Sequence, residues 1–196
     1  MYLKRGQIWI LIVNVILLGF FTWKFVEREN YEFLMYIGVI IFFLLVILFT
    51  NKKVKYPNYI LWLLTLWSFF HMAGGGLYYN GKIWYSQILI NLVGEPYYIF
   101  RYDQFVHIFG FMVATFLIYH FLSFIKSRNY NGKVMISIVA VMAGLGVGAL
   151  NEIIEFIATV IMPQTGVGGF INTSLDLVSD LVGALIAMIV VLIKGE

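Results

Sequence analysis

The chain has 196 residues, of which 62% are hydrophobic and only 12% are charged, and its mean hydropathy is +0.91. A soluble domain usually carries about 25% charged residues, so this composition excludes an ordinary soluble domain and predicts an integral membrane protein. The net charge of +3 is small and argues against nucleic acid as a partner, and the lack of cysteine excludes disulfides, thiolate metal sites and cysteine catalysis.

Six apolar stretches follow one another along the chain. A transmembrane helix needs about 20 such residues. We predict spans at about 7–26, 33–50, 57–74, 103–125, 134–162 and 174–193. The first stretch lacks a small-residue cleavage site, so we expect it to remain as a helix. The predicted fold is an all-α bundle of six transmembrane helices, in one domain over residues 1–196.

The segment between the third and fourth spans differs from the rest. The glycines at 74–76 are expected to break the third helix, and residues 77–102 are rich in Tyr and Trp. The apolar run at 88–93 is too short to cross a membrane. Because Tyr and Trp favour the membrane–water interface, we interpret this part of the chain as an interfacial or re-entrant segment.

Lysine and arginine predict the orientation of the bundle. Nine of them fall on one side of the predicted membrane: Lys4, Arg5, Lys52, Lys53, Lys55, Lys126, Arg128, Lys133 and Lys194. Four fall on the other: Lys24, Arg28, Lys82 and Arg101. By the positive-inside rule both termini are cytoplasmic. We therefore expect a multi-pass protein of the cell (inner or plasma) membrane.

Ionisable side chains inside the spans are the main functional signal, because they are costly in a membrane and usually functional. We single out seven that the predicted topology places at one depth, namely His71, Asp103, His107, Glu152, Glu155, Asp176 and Asp180. At 1.5 Å per residue, the predicted orientation places all seven within roughly 15 Å of the outer boundary. The sequence therefore predicts an acidic pocket that faces the extracytoplasmic side.

Small residues accompany these polar positions. Two spans share one spacing, in which an Asp is followed by His or Asp at plus four, Gly at plus seven and Ala at plus eleven. The residues are Asp103, His107, Gly110 and Ala114 on the fourth span, and Asp176, Asp180, Gly183 and Ala187 on the sixth. The fifth span offers a matching face with Gly144, Gly148 and Glu152. Small residues let membrane helices approach closely, so we expect these three helices to pack together.

Carboxylate and imidazole ligands on facing helices suit zinc, manganese, iron or magnesium, and no organic cofactor is implied. We predict a divalent metal site. Its preferred ligands are His71, Asp103, His107, Glu155 and Asp180. Glu152 is the candidate catalytic base or a further ligand, and Asp176 belongs to the site as a supporting carboxylate. Such a site could serve a metal-dependent hydrolase or transferase that acts on a lipid-linked or envelope substrate.

Three other interpretations remain open. The acids could bind and pass a cation or couple transport to protons, or they could form a buried polar network with a structural role only. Asp103 and Asp176 could also cap the amino ends of their helices. The sequence does not distinguish an enzyme from a transporter, and it leaves the oligomeric state undetermined.

The order of the polar motifs resembles the YjdF-like family of small bacterial inner-membrane proteins. The matching stretches are His71-Met-Ala-Gly-Gly, Tyr102-Asp103-Gln-Phe-Val-His107, Asn151-Glu152-Ile-Ile-Glu155, and Asn172-Thr-Ser-Leu-Asp176-Leu-Val-Ser-Asp180-Leu-Val-Gly183. A fainter similarity reaches the VanZ-like proteins, in which an Asp-to-His opening precedes a Glu on the next helix. The first resemblance implies a membrane protein and no particular activity. The second implies a role at the cell envelope.

Overall fold

The computed structural model describes residues 3–125, 132–162 and 164–194, and this part of the chain contains six α-helices. They are α1 Gln7–Glu27, α2 Tyr31–Val54, α3 Asn58–Gly76, α4 Tyr102–Ile125, α5 Lys133–Ile161 and α6 Phe170–Lys194. The predicted helical order is confirmed. Lys126 and Arg128, which entered the orientation count, and Pro163 lie outside the described residues, and the orientation stays a prediction.

Five of the helices in the described ranges are long and apolar enough to cross a membrane, namely α1, α2, α4, α5 and α6. Large apolar side chains on them are exposed, as expected of surfaces that meet lipid. The remaining helix, α3, has 19 residues and ends with His71 and three glycines, which lower its hydropathy. The chain is thus a multi-pass membrane protein, and a sixth crossing by α3 stays a prediction.

The chain forms two compact units, and the first comprises Met1–Gln87 with Gln164–Gly166. It holds α1, α2 and α3, and its core is aromatic, with Phe21 and Phe25 almost completely buried. Between α1 and α3, the Asn14 amide donates to the Thr65 hydroxyl at 2.7 Å. This bond satisfies polar groups that would be costly to bury alone.

The third helix ends at its three glycines, as predicted, although it runs two residues past the predicted end at 74. The helix continues through Gly76, and each glycine lies against an aromatic ring of the same unit. A Cβ at Gly74 would overlap Tyr85, one at Gly75 would overlap Phe33, and one at Gly76 would lie 2.9 Å from a ring carbon of Phe21. These glycines therefore serve close packing within the helix.

The segment between α3 and α4 contains short antiparallel strands that were not predicted. In the first unit, β1 (Tyr78–Tyr79) pairs with β2 (Lys82–Ile83). Asn80 and Gly81 connect them with φ of 50° and 75°, the positive values that a two-residue hairpin turn requires. This Asn-Gly pair was a readable hairpin signal. A short 3-10 helix follows at Trp84–Ser86.

The second unit comprises Ile88–Pro163 and Val167–Glu196. It begins with β3 (Ile88–Val93), which pairs with β4 (Ile99–Arg101), and continues into α4, α5 and α6. Glycine allows close helix contacts here, because a Cβ at Gly183 would meet the backbone around Ile108 and one at Gly144 would meet the Thr115 hydroxyl. The small-residue faces predicted for these helices are buried, including Gly110, Gly144, Gly148, Gly183 and Ala187.

Candidate functional site

His107 lies at the centre of a polar group inside the second unit. It occupies the second turn of α4 and is 6% exposed. Its Nδ1 lies 2.9 Å from Oδ1 of Asp180 on α6. Because an ionised carboxylate can only accept, we assign a proton to Nδ1; in the neutral imidazole, Nε2 then has a lone pair. Oδ1 of Asp103 lies 3.8 Å from Nε2, which is beyond hydrogen-bond distance.

Several carboxylate oxygens around His107 are buried without a hydrogen-bond partner. Within the described residues, these are both Oε atoms of Glu152, Oδ1 of Asp176 and Oδ2 of Asp180. Glu152 is 8% exposed, Asp176 is 1% and Asp180 is 0%. Asn151 and Thr173 lie close to Glu152, but without the geometry of a hydrogen bond. Buried acceptors in this state are rare and call for a partner.

Asparagine amides hold the other carboxylates in place. On α5, Asn151 Nδ2 donates to Oε1 of Glu155 at 2.8 Å. On α6, Asn172 Nδ2 donates to Oδ2 of Asp103 at 3.3 Å and also to Oδ2 of Asp176. Asn172 therefore ties the start of α4 to the start of α6. The sequence motifs included Asn172, but its role depends on a contact across 69 residues that local spacing does not show.

Two sets of side chains in the described ranges could each hold a metal ion. One set is Asp103, His107 and Asp176, and the other is His107, Glu152 and Glu155. In each set the offered ligand atoms lie within 4.8 Å of one another. His107 belongs to both sets. The predicted α4, α5 and α6 residues are thus brought together in one unit, with Asp180 bonded to the imidazole.

His71 has a different environment, in the first unit. Its Nδ1 lies 2.6 Å from the Tyr85 hydroxyl, and its ring stacks on Trp67 with 5.5 Å between centroids. The rings of Phe33 and Tyr36 also contact it. His71 is in neither of the two metal sets found among the described residues. Its predicted role as a ligand stays a prediction.

The positions of the two predicted capping residues differ. α6 begins at Phe170, four residues before the predicted start, so Asp176 lies in its second turn and cannot cap it. Asp103 lies in the first turn of α4, where a carboxylate also favours the positive end of the helix dipole. Helix capping therefore does not explain the presence of an aspartate at position 176.

A half-open cleft of about 200 Å³ lies in the same unit. Its lining comes from the segment before α4 and from the start of α6: Pro96, Tyr97, Arg101, Gln104, Gly168, Gly169, Ile171, Asn172 and Leu175. Oε1 of Gln104 accepts from the backbone N–H groups of Phe100 and Arg101, at 2.7 and 3.1 Å. These bonds fix the backbone of Arg101 at the start of α4.

Tyr98 supports the Arg101 side chain. The guanidinium carbon lies 5.2 Å from the centre of the Tyr98 ring, a distance typical of cation–π contact. The Tyr98 hydroxyl donates to Oε1 of Glu95, and this hydrogen bond raises the pKa of Tyr98 above its usual 10.0. The ring therefore stays neutral at ordinary pH and can support the cation without pairing with it.

Comparison with known families identifies the chain at the level of a family. A model described as "Predicted membrane protein (DUF2238)" matches residues 8–195, and this description names no activity. Searches of curated proteins and of solved structures find no match. The resemblance to YjdF-like and VanZ-like proteins stays a prediction, while the membrane class is confirmed. Since the match covers nearly the whole chain, the protein belongs to the DUF2238 family of predicted membrane proteins.

Proposed function

We propose that α4, α5 and α6 bind a divalent metal ion at His107 and the surrounding carboxylates. The observation that carries this proposal is the set of buried, unpartnered oxygens on Glu152, Asp176 and Asp180. Leaving one such acceptor unsatisfied costs about 1–3 kcal/mol, and more when it is charged. A metal ion would supply the missing partner and would offset the repulsion between the acids.

The distances are close to those of a metal site. Zinc ligands lie about 2.0–2.2 Å from the ion in tetrahedral geometry, so two of them are about 3.4 Å apart. The 3.8 Å from His107 Nε2 to Asp103 Oδ1 is slightly longer than this spacing. This separation and the larger ones, up to 4.8 Å, require rotations of carboxylates onto the ion.

We assign Asp180 a positioning role and Asp176 a ligand role, the reverse of the roles preferred in the sequence prediction. Asp180 bonds Nδ1 of His107, and a carboxylate on the far nitrogen orients a histidine ligand and makes it more basic. Asp176 belongs to a metal set and has one unpartnered oxygen. His107, Asp103 and Asp176 are then the core ligands, and Glu155 is a further one.

The proposed reaction is metal-assisted hydrolysis or group transfer on a lipid-linked substrate at the extracytoplasmic side. The metal would polarise the substrate oxygen or activate water, and Glu152 would be the base. In hydrolysis, Glu152 takes a proton from water as the water oxygen bonds to the substrate centre. It then returns the proton to the departing oxygen as that bond breaks, so the atoms balance and Glu152 is restored.

Elemental analysis of the purified chain tests the metal site. We expect bound manganese, zinc or iron in the wild type after supplementation. In His107→Ala the metal should be lost, and in Asp180→Asn its affinity should fall by about 10–100-fold, the usual effect of removing an orienting carboxylate. His120→Ala is a matched control, because His120 lies near the other end of α4 and belongs to neither metal set.

Two results would count against the proposal. Wild-type protein that binds no metal after supplementation would refute the site. If His107→Ala lowered thermal stability and function in parallel while metal was absent throughout, the acids would form a structural network. Cation flux in liposomes that disappears in Asp180→Asn would instead favour the transport interpretation.

A further inference from the structure

Arg101, one of the residues that line the cleft, is a cation without an acidic partner. Within the described ranges, the ion pairs with an N–O distance of 4.0 Å or less all involve His107. No carboxylate oxygen therefore lies within that distance of the Arg101 guanidinium. The Arg101 side chain contacts the Tyr98 ring instead. Arginine has five donors in a planar fork that matches carboxylate and phosphate, so these donors are available to an anionic ligand.

The cleft adjoins the proposed metal ligands through one residue. Asn172 lines the cleft, and its amide donates to Asp103 and to Asp176. Arg101 also directly precedes Tyr102 and Asp103 at the start of α4. A group held in the cleft therefore lies next to the side chains that would hold the ion.

Size and electrostatics limit what the cleft could bind. Sites for drug-sized ligands usually have about 300–1,000 Å³, so a cleft of about 200 Å³ suits one small charged group and not a whole organic molecule. The lining also includes Gly168, Gly169 and residues of the first turn of α6, and the first backbone N–H groups of a helix lack intrahelical partners and favour an anion. Because the cleft is half open, the remainder of a larger ligand can extend outside it.

We propose that this cleft binds a phosphate group of the substrate, with the Arg101 guanidinium as its main contact. As a substrate site it rests on the proposed function, because an anion beside unneutralised carboxylates would be repelled. A phosphate held there could offer one oxygen to the metal and the others to Arg101. This assignment narrows the substrate class to phosphate esters, carried either by a lipid headgroup or by a soluble molecule.

The test uses the full chain in a maltoside detergent, which contains no phosphate. Manganese is added, its content is measured by elemental analysis, and binding of inorganic phosphate and of phosphatidic acid is measured by calorimetry. In Arg101→Gln we expect at least about tenfold weaker binding with unchanged manganese content. Arg101→Lys keeps the charge but loses the fork, so its affinity should fall between that of Arg101→Gln and the wild type.

Arg28→Gln is the matched control. Arg28 also stacks on a tyrosine, with 4.8 Å from its guanidinium carbon to the Tyr78 ring centre, but it donates to the Gly76 carbonyl in the first unit. The Arg28→Gln variant should therefore bind phosphate as the wild type does. If only phosphatidic acid binds in an Arg101-dependent way, the phosphate comes from a lipid. If only inorganic phosphate does, the source is soluble.

Other outcomes separate the two proposals. Equal binding by wild type and Arg101→Gln, or no binding by the wild type, would overturn the phosphate site while the manganese content still reports on the metal site. An equal loss in Arg28→Gln would overturn it as well, since the effect would then be nonspecific. Absence of manganese together with Arg101-dependent phosphate binding would refute the metal site and retain the cleft.

Discussion

Gly148 is the position where one added carbon should disturb the polar group most directly. A Cβ at Gly148 would lie 2.8 Å from Cγ of Asp180 and 3.0 Å from its Cβ. Carbon atoms in contact are usually about 3.5–4.0 Å apart. Asp180 is fully buried, and its Oδ1 accepts a hydrogen bond from His107, so turning its carboxylate away would break that bond. Gly148→Ala should therefore push α5 away from α6 or turn Asp180 away from His107.

A matched substitution isolates this steric cost. Gly146 lies on the same helix, is exposed, and has no neighbour within 4 Å of an added Cβ. Both Gly→Ala changes gain similar helix propensity, up to about 1 kcal/mol, so the difference between the two variants removes that contribution. Inserting a methyl group into a packed site costs about 1–3 kcal/mol. We expect Gly148→Ala to be less stable than Gly146→Ala by that amount.

Reversible unfolding in mixed micelles measures this difference. A double-mutant cycle with Asp180→Ala then tests its cause, because removing the carboxylate removes most of the overlap and leaves the Cβ contact. We expect a coupling energy between the two positions of about 0.5–3 kcal/mol, the range for residues in contact. Equal stabilities of Gly148→Ala and Gly146→Ala, or a coupling energy near zero, would refute the proposed contact between α5 and Asp180.

Two further predictions concern the same unit. Gly183→Ala should destabilise the chain by about 3 kcal/mol, because the added Cβ would lie 2.9 Å from the Met112 backbone nitrogen and the backbone cannot rotate away. Gly19→Ala is the control, since an added Cβ there has no neighbour within 4 Å. Equal unfolding midpoints of the two variants would contradict the contact at Gly183. Manganese at about 100 times its dissociation constant should stabilise the wild type by about 2.7 kcal/mol and the Asp176→Asn variant by much less. Thermal unfolding with and without manganese measures this difference, and equal shifts in the two proteins would exclude Asp176 as a ligand.

Much of the helical arrangement could be predicted because apolar runs of membrane length specify helices directly. Fixed spacings of three and four residues also indicated that Asp103 and His107 share a face of α4. The same spacing placed Gly144, Gly148 and Glu152 on one face of α5, and all three are buried. These predictions depend only on local periodicity, and a single sequence is enough to reveal that periodicity.

The features that could not be predicted depend on contacts between distant parts of the chain. The third helix was expected to end at Gly74, but Gly75 and Gly76 are helical as well, and aromatic side chains lie close against all three glycines. The roles proposed for Asp176 and Asp180 could not be separated by spacing, since both lie on the same face of α6. The hydrogen bond between Asp180 and Nδ1 of His107 is a contact that spacing does not show.

Charge balance connects the helix packing, the proposed metal and the cleft. Five carboxylates belong to the polar group around His107, on Asp103, Glu152, Glu155, Asp176 and Asp180, and the ion pairs found in the described ranges all involve that one imidazole. Close packing at Gly148 and Gly183 brings the three helices together, which strengthens the repulsion between these acids. Five like charges cannot remain ionised together in such a space, so cations or shared protons must compensate them. The proposed divalent ion would compensate two of the charges. Arg101, at the edge of the same group, would then hold the anion that the bare acids would repel.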